Sequence, residues 1–176
     1  DKIFIEGMGV FKDHRLVAKL DFHEVGVSQL LKYNVVDNFT YSTTVETTDG
    51  KLKIGISRGE MKAKYRFDKK NPLEVHIDIK GKGEINEIGT TTMKVSHDLV
   101  KKVSNQIEKE LEQLVIDTIN KMKDKKVEPW LIGHRLWVRD TNFFETLNWD
   151  DAGWKESKIH IAVNFELEHT GQKGFI

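Results

Sequence analysis

The sequence has no cysteine. Disulfides, thiolate metal sites and thiol nucleophiles are excluded together. It also lacks an excess of either charge, since 28 basic and 28 acidic residues give a formal net charge of zero. Nucleic-acid affinity comes mostly from neutralising phosphates, so a balanced chain with no basic block is a poor nucleic-acid binder. No apolar run approaches the roughly 20 residues that a helix needs to span a bilayer. Repeats and low-complexity tracts are missing, as are the G-x-S-x-G elbow, the phosphate loop, the dinucleotide fingerprint and the calcium loop. There is neither a signal peptide nor an initiating Met, and Asp1 opens a stretch, "KIFIEGMGVF", that reads as a strand. The expectation is a single domain, residues 1–176, cut from a longer protein.

What is present is periodicity. Two apolar runs flank Lys12-Asp13-His14-Arg15 and predict a β-hairpin. Asp21, with Glu24 three residues later, predicts a capped helix start; Phe22, Val25, Gln29, Leu30 and Leu31 form its imperfect stripe. From Asn34 to Ile88 the period becomes two. Phe39, Tyr41, Thr43, Val45 and Thr47 alternate with polar neighbours, and Asp49-Gly50 predicts a tight turn. Ile54 and Ile56 have the opposite parity to Met61, Ala63, Tyr65 and Phe67, which predicts a bulge near Ser57-Arg58-Gly59. A third strand carries Leu73, Val75, Ile77 and Ile79.

Ser96 then reads as an N-cap. Leu99, Val103, Ile107, Leu111, Leu114, Val115, Thr118 and Met122 follow at helical spacing, predicting one long amphipathic helix over about 96–126. Pro129 is expected in the first turn of a further helix, "PWLIGHRLWVRDTNFFETL". Ile159, Ile161, Val163, Phe165 and Leu167 predict a last strand. The fold class is α+β: an antiparallel or mixed β-sheet with one face covered by helices.

Chemistry is sparse. No two histidines share i, i+4 spacing on a helix, and His76 and His160, on polar strand faces, are expected to be solvated surface residues. His134 reads as a hydrogen-bonded core or interface histidine. Asp150 and Asp151 have no third partner and sit beside Gly153, so a turn is the expectation rather than an acid–base pair. No catalytic residue, cofactor-binding residue or metal ligand is predicted. The four tryptophans, Trp130, Trp137, Trp149 and Trp154, cluster around Phe143 and Phe144. They either pack a helix and loop onto the sheet or form a partner surface, and exposure separates the two readings.

"GMGVFKDHRLVAKLDFHEVGVSQLL" resembles the opening of the C-terminal domain of the Ger(x)C family, the C subunits of nutrient germinant receptors in spore-forming bacteria. Gly9, Val10, Phe11, Lys12, Asp13, Leu16, Val17, Leu20, Glu24, Leu30 and Leu31 carry the likeness. Later, "WLIGHRLW", "LNWDDAGW" and "IHIAVNFELEHTG" resemble the family's remaining elements in order. Glu168-His169 departs from the basic pair that often precedes the family's terminal Thr-Gly. Asn34 to Ile88 matches only in strand pattern.

The resemblance implies a non-enzymatic lipoprotein subunit without a cofactor. It would sit at the outer face of the spore's inner membrane, held by a diacylglyceryl Cys upstream of this sequence. Its partners would be the A and B integral-membrane subunits. Two functions then compete. An assembly and signalling domain predicts an exposed apolar or aromatic patch. A sensor that binds a small-molecule germinant directly predicts a concave pocket with convergent polar groups. A hydrolase or metal enzyme would need converging histidines and carboxylates, which the sequence does not display.

Overall fold

The computed structural model describes residues 7–48, 50–88 and 96–168. The expected strand start at Ile3 and Ile5, the turn residue Asp49 and the terminal Thr170-Gly171 lie outside the described residues.

The first hairpin joins β1 (Gly7–Lys12) to β2 (Arg15–Asp21). Asp13 and His14 both take positive φ, 48° and 62°, as a two-residue turn between right-twisted strands requires. Helix α1 (Phe22–Tyr33) starts on the predicted capping box. Glu24 N donates to Asp21 Oδ1 at 2.9 Å, and Asp21 N donates to Glu24 Oε2 at 2.8 Å. The buried stripe keeps Leu30 and Leu31 of the expected one and replaces Phe22 and Gln29 with Val27. Val27, Leu30 and Leu31 form the i, i+3, i+4 face that meets the core, which turns Gln29 to solvent and leaves Phe22 71% exposed.

Four strands make the main sheet in the order β3 (Val35–Thr47), β4 (Gly50–Asp68), β5 (Glu74–Ile88) and β6 (Lys158–Glu168). The first three are antiparallel neighbours, whereas β6 returns parallel to β5, so the sheet is mixed. The β4–β5 register breaks between Ser57 and Glu60, with Arg58 at φ 50°. This is the predicted bulge. It brings Ile54, Ile56, Met61 and Ala63 onto one buried face despite their opposite parity.

Helix α2 (His97–Asp124) lies on that face. Its N-cap is Ser96, whose Oγ accepts from Leu99 N at 3.1 Å. Leu99, Val103, Ile107, Leu111, Val115, Ile119 and Met122 are buried along one seam. The helix also grips both edge strands. Glu110 accepts from Tyr41 Oη at 2.8 Å and Thr43 Oγ1 at 3.0 Å on β3, while Glu108 accepts from Phe165 N at 2.8 Å on β6. The rings of Phe39 and Phe165, from opposite edges, meet edge to face at 6.2 Å. Phe165 lies across Gly81, where a Cβ would fall 2.7 Å from Cε2 of the ring.

Past α2 the chain departs from expectation. Pro129 stands in a turn outside any helix, and α3 (Ile132–Arg139) begins only after Leu131. A separate α4 (Thr141–Glu145) follows a break at Asp140, whose Oδ1 accepts from Phe143 N at 3.0 Å. An N-cap carboxylate in mid-segment splits the expected single helix in two. A π-helical turn (Trp149–Gly153) and a short α5 (Trp154–Glu156) lead into β6.

The outer face of the sheet is polar. His76 on β5 and His160 on β6 are direct register partners there. They are not separate solvated side chains, as expected, because their rings stack at 4.6 Å with 19° between planes. A parallel pairing across 84 positions puts them together, and strand alternation alone carries no trace of it.

Candidate functional site

The tryptophan cluster is built between α3, the π turn and the end of α2. Trp130 is fully buried, and its Nε1 donates to Ser28 Oγ on α1 at 2.7 Å. Trp154 meets Trp130 at 6.1 Å and Trp149 at 5.8 Å, and Phe144 meets Trp149 at 6.0 Å. Gly133 on α3 lies against Trp149, where a Cβ would come within 2.6 Å of Cε2 of the indole. Burial therefore separates the four predicted residues. Trp130, Trp149 and Trp154 are core rings, and Trp137, 44% exposed, is the one that presents a large area to solvent.

Trp149 and Trp154 nevertheless reach a surface. Together with Leu131, Trp137 and Phe144 they wall a cleft of about 840 Å³. Its polar contributors are Lys12 from β1, Lys126, Glu128, His134 and Asp150. Lys12 Nζ donates to the Lys126 carbonyl at 2.9 Å, which ties the first hairpin to the cleft's margin. His134 lies 5.6 Å from the Trp137 ring. Asp150 and Asp151 are both exposed in the π turn, and Asp150 alone of the two lines the cleft. The turn expectation for the pair agrees with this placement.

Glu128 organises the floor. Its carboxylate accepts from Trp130 N at 2.7 Å and Gly133 N at 3.1 Å, serving the start of α3, where Leu131 makes no side-chain cap. Burial pushes the Glu128 carboxyl above the usual carboxylate range, against the pull of these N–H donors. The folded state therefore holds this proton more tightly than the unfolded chain does. The stability contributed by Glu128 is greatest at low pH and falls as pH rises through its raised pKa. Glu128→Gln is expected to flatten that fall, as urea denaturation across a pH series would show.

Two further groups border the rings. Lys123 donates to the Ser157 carbonyl and lies 5.1 Å over the Trp154 ring; burial lowers its pKa. Trp154 Nε1 is buried and has no hydrogen-bond partner among the described residues. Leu131 adopts φ 62° and remains 51% exposed. A left-handed leucine costs about 1–2 kcal/mol, so an apolar side chain is held at the cleft's rim against a backbone preference.

The arrangement offers apolar walls with a few polar points. None of the described residues lining the cleft is a serine, threonine or cysteine. It suits the docking of an apolar side chain or a small amphipathic ligand. Glu128, Leu131 and Lys12 were not read as site residues from the sequence, whereas Phe144 stood in the aromatic group. The "EPWL" stretch carries the only local signal, a carboxylate just ahead of a helix start.

The family described as spore germination B3/GerAC-like, C-terminal, matches residues 6–171. A solved structure, the crystal structure of the GerBC protein, superimposes with a TM-score of 0.71 at 20% identity. The superposition covers 92% of this chain and 51% of that one, so this chain spans about half of its length. At that identity the likeness is one of fold. No curated protein matches the chain significantly.

Proposed function

The chain belongs to the spore germination B3/GerAC-like C-terminal family, and on that premise we propose that it is a non-enzymatic assembly and signalling domain of a germinant-receptor C subunit. In this reading it is the C-terminal domain of a longer lipoprotein. A lipidated cysteine upstream of this sequence holds that protein at the outer face of the spore's inner membrane. Its partners are the A and B integral-membrane subunits. No helix of the described residues is long and apolar enough to cross a membrane.

The observation that carries the assembly role is the exposed apolar group on and beside α3. Leu131, Trp137 and Val138 are exposed there, next to the cleft, and large apolar residues at a surface mark interaction sites. Trp137→Ala is expected to abolish binding of soluble A-subunit segments while lowering unfolding free energy by only about 1–2 kcal/mol, the share of the half-buried ring, so that the variant stays folded. NMR titration of the labelled chain reads the first effect and urea denaturation the second. Retained binding by the variant would remove α3 from the interface.

A second reading has its own support. A cleft of about 840 Å³ with Lys12, Glu128, His134 and Asp150 among its polar lining suits direct binding of a small germinant. A parallel titration with amino acids, sugars and nucleosides separates the two. Saturable shifts confined to the cleft with one such compound would favour the sensor.

A further inference from the structure

We propose that Glu74, His76 and His160 form a binding site for a divalent first-row transition ion of the zinc class. One donor atom from each residue lies within 4.8 Å of the others. Two imidazoles and a carboxylate are the donor set of open zinc sites and suit the borderline-soft ions generally. Mg²⁺ and Ca²⁺, which take oxygen ligands, are excluded by the same chemistry.

The backbone does the positioning. His76 and His160 face each other in the parallel β5–β6 register, and Glu74 stands two residues before His76 on the same face. Glu74 Oε2 is 3.8 Å from His160 Nε2. Ligands about 2.0–2.1 Å from a tetrahedral zinc are spaced about 3.3 Å apart, and each imidazole donates in its own plane, so closure asks for shifts of roughly an ångström and for the His160 ring to turn out of its stack on His76. His160, on the edge strand with half its side chain exposed, has room for them. Behind the set, Asp68 Oδ2 lies 3.0 Å from His76 Nε2, a carboxylate that orients the ring as outer-sphere partners of metal-bound histidines do. Lys70 opposes the ion, because its Nζ is 2.9 Å from Glu74 Oε2 and an arriving dication must displace it.

Calorimetric titration of the 176-residue chain with ZnCl₂ in a non-chelating buffer tests this. One saturable equivalent is expected, with no response to MgCl₂. His76→Gln and His160→Gln should each weaken zinc binding by at least about tenfold. His97→Gln, at the start of α2 on the sheet's other face, should leave it unchanged, and Lys70→Ala should tighten it. Both imidazole substitutions lie on the sheet's outer face, and circular dichroism checks that the variants stay folded. Failure of the parent chain to bind zinc saturably overturns the proposal. So does equal affinity in His160→Gln, which would place the ion on other histidines.

Discussion

Leu111→Asp is expected to lower the unfolding free energy by about 3–5 kcal/mol, the cost of an uncompensated buried charge. Leu111 is buried in the middle of α2, one turn from Ile107 and one from Val115, where the helix meets the sheet. The substitution removes an apolar side chain worth about 2 kcal/mol of burial and adds a carboxylate with Glu108 and Glu110 close by on the same helix. Typical domains have only about 5–15 kcal/mol of total stability, so most of the folded population is at stake. Urea denaturation followed by tryptophan fluorescence measures the loss. Asn120→Asp, on the exposed side of the same helix, is the control and should change stability by less than about 0.5 kcal/mol. An unchanged midpoint for Leu111→Asp would mean that α2 does not present this seam to the sheet.

The second large effect lies at Gly133. A methyl group there already collides with the Trp149 indole, so Gly133→Ala should cost about 1–3 kcal/mol as an overpacked core position. Gly133→Trp should cost more and scatter the cluster, because no shift of one ring can house a second. Trp149 touches both Phe144 and Trp154, which makes the disturbance cooperative. The expected signs are a lower thermal midpoint and a changed near-ultraviolet circular dichroism spectrum, graded from Ala to Trp. Equal midpoints for Gly133→Ala and the parent chain would show that the helix and the π turn stand further apart.

These two positions differ in how far the sequence exposed them. The α2 seam follows from spacing within one helix, and so do the Asp21–Glu24 capping box and the Arg58 bulge, since each involves residues close along the chain. The opposite parity of Ile56 and Met61 could be satisfied on one face only by an irregular strand, and the structure has that irregularity. Features that depend on which strand or helix lies alongside were hidden. The stacking of His76 on His160 needs the parallel β5–β6 register. The burial of Trp130 needs Ser28, 102 positions away, as its hydrogen-bond acceptor. Composition placed all four tryptophans together, whereas only their packing distinguishes Trp137 from the other three. The break at Asp140 was locally encoded but read as helix interior, because an aspartate signals a cap only when the next turn is already known to restart.

The return of β6 to β5 has a consequence for the order of events during synthesis. Residues 89–157 separate the two strands, so β5 is made long before its parallel partner exists. Antiparallel β3, β4 and β5 can pair as they emerge, and α2 can settle on them. The far margin of β5 then waits with unmatched main-chain donors and acceptors beside Val75, Ile77 and Ile79. Such a margin is a template for any extended segment that arrives first. The hazardous interval in the life of this protein ends only when residues 158–168 leave the ribosome and close it.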